Sequence, residues 1–146
     1  MKLYILFHQV LAALLRLHLT TVRQTTVDGP ISAIIANNKK YASYFNDCLG
    51  ALDGSHFDVS IRGENPAPYR NRKGRLSQDV LAVCNFELQF TYVLAGREGS
   101  AHDGRVLRDA VSRGGFKIPD GKYYLGDAGY SNSKTEIPDL ADSSGV

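Results

Sequence analysis

Cys48-Leu49-Gly50-Ala51-Leu52-Asp53-Gly54-Ser55-His56 is a short apolar run that ends in an acid followed by glycine. The plan recurs at Tyr123-Tyr124-Leu125-Gly126-Asp127-Ala128-Gly129-Tyr130. Each stretch reads as a β-strand presenting a carboxylate where a Gly turn begins. Two such carboxylates brought together make a hard-oxygen site for Mg²⁺ or Mn²⁺. A pair of divalent ions about 4 Å apart is a device for cutting phosphodiesters.

Working outward, the hydrophobic pattern places strands near 48–53, 57–61, 79–85, 88–95 and 122–126. Phe86-Glu87 falls at a hairpin bend. Val106, Leu107 and Ala110 have helical spacing, which predicts a helix over 103–111 that stops at Gly114-Gly115. Residues 31–46 suit a short helix, weakened or split in two at Asn37-Asn38-Lys39-Lys40, with Tyr41, Tyr44 and Phe45 expected to anchor it on the core. Three strands in meander, a helix, then a strand carrying an acid make an α/β fold. It reads as a ribonuclease-H-like mixed sheet, incomplete at the C-terminus and preceded by N-terminal helices. The division expected is 1–46 helical, 47–130 partial nuclease domain and 131–146 a disordered, divergent tail rich in Ser and Asp.

A chain of 146 residues with 43% apolar and 22% charged residues supports one core. A net charge of +2 argues for nothing by itself. Its distribution is more informative: Arg62, Arg70, Arg72, Lys73 and Arg75 crowd one loop against the single acid Glu64. Cys48 and Cys84 lack metal-like spacing and read as free thiols in apolar strands. At the N-terminus, Leu3, Phe7, Val10, Leu11, Leu14 and Leu15 predict an amphipathic helix over about 2–19. His8, Gln9, Arg16 and His18 interrupt it, so it reads as neither a signal peptide nor a membrane span, and no membrane is expected as a partner.

Four blocks together resemble the nuclease domain of Harbinger/PIF-type transposases, which are DDE-superfamily endonucleases. They are residues 47–56, residues 69–74 with 77–84, residues 90–107 (Phe90-Thr91-Tyr92 through Gly99-Ser100-Ala101-His102-Asp103-Gly104-Arg105-Val106-Leu107) and residues 123–130. The resemblance implies that Asp53 and Asp127 are the first and second catalytic acids and ligands of Mg²⁺ or Mn²⁺. It implies a DNA substrate, a nuclear location and a Myb-like partner protein that helps find the target. The family's third acid is a Glu on a helix further downstream. Ser131 onward departs from the family's pattern, as in a C-terminally truncated copy. Glu136 is not assigned the third role, so this chain is expected to be inactive as a nuclease.

Other residues carry two readings each. Ser100 or Asp103 caps the helix that follows, or Asp103 holds metal directly. His56 and His102 orient ligand carboxylates from behind, or serve packing and surface. The basic loop contacts the DNA backbone, or is a solvated face. The alternative to a nuclease is a non-catalytic remnant that binds DNA or protein.

Overall fold

The computed structural model describes residues 2–26, 29–61 and 65–130. The expected tail 131–146, with Glu136, and the basic residue Arg62 lie outside the described residues. The fold is mixed α/β and ribonuclease-H-like. Helix α1 spans Lys2–Thr21, α2 Ala33–Ala36 and α3 Lys39–Phe45. Strand β1 (Cys48–Asp58), β2 (Ser77–Cys84) and β3 (Phe90–Glu98) are followed by α4 (Asp103–Ser112) and β4 (Tyr123–Leu125). The sheet order is β3-β2-β1-β4. The first three strands pair antiparallel, and β4 returns parallel to β1.

Strand β1 corrects the sequence reading. Two strands were expected, 48–53 and 57–61, broken by a turn at Gly54. Instead one strand runs without interruption, and its register with β2 holds from Ala51↔Cys84 to Asp58↔Ser77. Gly54 makes no turn, so Asp53 sits inside a strand rather than at its end. The glycine whose backbone is unusual is Gly50, with φ 151°, at a bulge in the β1–β4 pairing. A β-carbon there would stand 1.9 Å from the Cys84 carbonyl oxygen, so only glycine fits.

Alternation decides which face is buried. Leu52, Leu81, Val83 and Tyr92 point to one side of the sheet. Val106 and Ala110, one turn apart on α4, cover them, and Phe116 closes the cluster. The Phe116 ring packs against Tyr92 and Tyr124, with centroids 4.8 and 5.3 Å away. The opposite face carries Ala51, Ser55, Phe57, Val80, Ala82, Phe90 and Val93 along an open groove of about 450 Å³. Phe57 and Phe90 are each 58% exposed, so this face is uncovered among the described residues.

The segment before β1 splits in two, as the asparagines suggested. Asn37 ends α2, and Asn38 caps α3 by accepting the Lys40 N–H at 3.1 Å. The anchor differs from expectation. Tyr41 and Tyr44 are exposed, Phe45 is half-buried, and Ile35 is the buried side chain of the pair of helices.

Helix α1 runs past its expected end to Thr21, and some of its polar residues bond back along it. His8 Nδ1 donates to the Tyr4 carbonyl at 2.9 Å, and the Thr20 and Thr21 hydroxyls donate to Leu17 at 2.8 and 2.9 Å. The helix buries no side chain. By length and composition it is apolar enough to cross a membrane, a test that signal sequences and core helices also pass. The reading of a run too short and broken to span is therefore not upheld.

These observations separate two variants. Deleting residues 2–21 should change unfolding free energy by less than about 0.5 kcal/mol, as for surface changes. Leu81→Ala, at a fully buried position, should cost about 2–5 kcal/mol. Urea denaturation measures both, and equal losses would show that α1 packs on the domain.

Candidate active site

In the parallel register Ala51 stands opposite Leu125. Asp53 and Asp127 each follow by two residues. Neighbouring strands lie about 4.8 Å apart, so this pairing carries both acids toward the same end of adjacent strands. Each acid braces its own backbone. Asp53 Oδ1 accepts the Gly54 N–H at 2.8 Å, and Asp127 Oδ1 accepts the Gly129 N–H at 2.9 Å. Asp53 is exposed and shares its face of β1 with Ala51, Ser55 and Phe57.

Asp103 joins them from the first turn of α4. Its Oδ2 and Asp127 Oδ1 lie 2.6 and 3.0 Å from where a β-carbon on Gly129 would stand. Its Oδ1 faces Gly54, lying 3.3 Å from the corresponding point there. Neither Ser100 nor Asp103 caps α4, contrary to expectation. His102 occupies the cap position without a side-chain bond to the helix. Its Nδ1 instead accepts from Arg72 Nη2 at 2.7 Å.

Two residues of this cluster went unnoticed in the sequence. Asp79 on β2 is 1% exposed, and its Oδ2 has no hydrogen-bond partner among the described residues. The Tyr130 hydroxyl is likewise buried without a partner. The signal for Asp79 was its parity: it alternates in step with Leu81 and Val83, which marks it as an inward-facing acid. Burial holds the Asp79 carboxyl above the usual aspartate range; His56 opposes the shift, and Asp103 and Asp53 add to it. Burial also pushes the Tyr130 hydroxyl far up, reinforced in turn by Asp103, Asp53, Asp79 and Asp127. All four aspartates therefore act on one phenol, although Asp53 leaves β1 from the opposite face of the sheet. His56 stands opposite Asp79 in register and bears on that acid.

Beside the acids opens a cleft of about 490 Å³ lined by His56, Arg72, Lys73, Arg75, His102 and Asp103. The basic loop is only partly available to a ligand. Arg70 Nη1 donates to the Gly74 carbonyl at 2.9 Å, closing its own loop. Arg75 pairs with Asp58. Arg72 and Lys73 remain as the cations that face the cleft without a carboxylate partner among the described residues.

The donors are all hard oxygens, the kind that suits Mg²⁺ or Mn²⁺. Among the described residues no three His, Cys, Asp or Glu side chains converge tightly enough to hold an ion alone. Mg²⁺ does not require that, since it binds through one or two carboxylates, waters and substrate phosphates. Asp103 and Asp127 facing each other across Gly129 fit such a demand.

The profile of the family described as DDE superfamily endonuclease matches residues 52–141, well over half of the chain. The chain belongs to the DDE superfamily endonucleases. The match takes in both acid motifs, the basic loop and α4, and it runs past Tyr130. No curated protein and no solved structure matches the chain. Membership makes the domain a nuclease of the transposase type, whose substrate is DNA and whose superfamily uses divalent metals.

Asp79 gives this endonuclease domain a pH signature in the absence of divalent ions. Its folded carboxyl keeps the proton above the ordinary value of 3.8. Folding then takes up a proton in the window above that value, so stability falls as pH rises through it. Asp79→Asn in EDTA should melt higher than the wild type at pH 7, by about 4 °C for each kcal/mol regained. The difference should vanish as pH falls below 3.8. A melting comparison across pH checks both arms.

Proposed function

We propose that this domain is a divalent-metal-dependent DNA endonuclease of the Harbinger/PIF transposase type. The observation that carries the reading is the parallel β1–β4 pairing, which takes the two acid motifs of the matched family to one end of the sheet. In this reading Asp53 and Asp127 hold Mg²⁺ or Mn²⁺, with Asp103 beside them. The bound ions supply Lewis-acid polarisation of the phosphate and a water made acidic enough to attack. The chain's own groups do the remaining work. Arg72 and Lys73 draw the DNA backbone along the cleft, while Arg70 and Arg75 stiffen the loop that carries them. His102, accepting from Arg72, links that loop to the start of α4. A Myb-like partner selects the target, and the site of action is the nucleus.

Hydrolysis by this chain is slow in this reading. Among the described residues no group of three His, Cys, Asp or Glu side chains holds an ion by itself. Two acids leave the ions without a fixed geometry. Supercoiled plasmid incubated with the protein and Mn²⁺ should be bound but not nicked. Robust nicking that Asp53→Ala abolishes would make the chain an active enzyme. DNA retention without any dependence on Mn²⁺ favours the second reading, a non-catalytic binding module, which the lack of a three-carboxylate cluster among the described residues supports.

The cleft predicts a salt signature. Replacing both Arg72 and Lys73 by Ala should reduce the slope of log K against log salt by about 1.8, the release from two phosphates. Equal slopes would leave the loop a solvated face.

A further inference from the structure

We propose that Asp79, Asp103 and Tyr130 form a seat for a hard cation over Gly54, sharing Asp103 with the Asp127 side of the site. Three oxygens crowd this point. Tyr130 Oη, Asp103 Oδ1 and Asp79 Oδ1 lie 3.1, 3.3 and 3.4 Å from where a β-carbon on Gly54 would stand. The space exists because residue 54 has no side chain. Its φ is not in the left-handed region, so backbone conformation is not the reason for glycine here.

Two of these groups are incomplete. Asp79 is 1% exposed with Oδ2 unpartnered, and the buried Tyr130 hydroxyl bonds to nothing among the described residues. Buried polar atoms without partners are rare, and buried charge is ordinarily paired or bound to metal. The groups that bear on Asp79 are two aspartates, one opposing histidine, His56, and the Val80 backbone N–H, which bonds to it. A hard cation over Gly54 satisfies the orphan Tyr130 hydroxyl, meets the Asp79 carboxylate at Oδ1 and offsets the surplus negative charge. Asp103 then turns one carboxylate oxygen to each side: Oδ1 to Gly54 and Oδ2 toward Asp127 across Gly129. The seat rests on the proposed metal-dependent reading only through this shared Asp103.

The full chain is titrated with Tb³⁺, whose luminescence a tyrosine sensitises at close range, and with Mn²⁺ followed by electron paramagnetic resonance. The wild type should give a saturable Tb³⁺ signal that Asp79→Asn and Gly54→Ala abolish, and each variant should bind one Mn²⁺ fewer per chain. Asp127→Asn should keep the Tb³⁺ signal. Circular dichroism checks folding. Should Asp79→Asn fail to fold, Gly54→Ala decides, because it removes no charge and only fills the space. A wild-type titration curve in the folded variants, or no sensitised signal in the wild type, overturns the seat and leaves water over Gly54. If Asp53→Asn and Asp127→Asn leave Mn²⁺ stoichiometry intact while Asp79→Asn lowers it, the seat stands and the catalytic-metal reading falls.

Discussion

Ala51 facing Leu125 across a parallel pairing is the contact on which the site depends. An antiparallel return of β4 would send Asp127 to the far end of the sheet from Asp53. Parallel return requires a crossover, and α4 lies in it. The same helix that makes the crossover covers the core with Val106 and Ala110 and brings Asp103 to the acids from its first turn. Packing and chemistry are thus coupled: α4 cannot shift along the sheet without moving a carboxylate.

The cost of this arrangement is concentrated charge. Asp79 and the Tyr130 hydroxyl are buried beside other acids, and Asp79 Oδ2 and Tyr130 Oη lack a hydrogen-bond partner among the described residues. A domain selected for stability alone would place an apolar residue at position 79, in line with Leu81 and Val83. Violations of local rules with no structural gain concentrate where proteins act. The basic loop answers the acids from the other wall of the cleft, but much of its charge is already committed. Arg75 is held by Asp58 and Arg70 by its own loop. Among the described residues of the loop, what remains to attract a polyanion is the pair Arg72 and Lys73.

The sheet and its helices were legible because their signals are local and periodic. Val106, Leu107 and Ala110 could belong only to a helix with one buried face, and the asparagines at 37 and 38 split the preceding segment as capping chemistry dictates. The two motif acids were legible as candidates only through the family resemblance, which a strand-end carboxylate alone could not have supplied. What failed was anything that required knowing what lies across from a residue. The exposure of Tyr41 and Tyr44 followed from packing that no local pattern encodes. His56 carried two readings, orienting a ligand carboxylate or serving packing and surface, and nothing local chose its partner. The antiparallel register sets it opposite Asp79.

The glycine of the first motif was misread for a related reason. Asp-Gly looks like a turn sequence, because glycine commonly supplies a positive φ. Gly54 lies in a regular strand, whereas Ala128-Gly129 does form a turn, closed by the Tyr130 N–H on the Asp127 carbonyl at 3.2 Å, with no positive φ at Gly129. Both instead leave volume where oxygen atoms crowd. A methyl at 54 would press on Tyr130, Asp103 and Asp79, and one at 129 on Asp103 and Asp127. The spacing of glycine and acid in each motif therefore encodes room beside a carboxylate. That also explains why the two motifs share a plan although they sit on strands of very different length. In each, a strand supplies the acid, and a missing side chain one or two residues later lets the next acid approach.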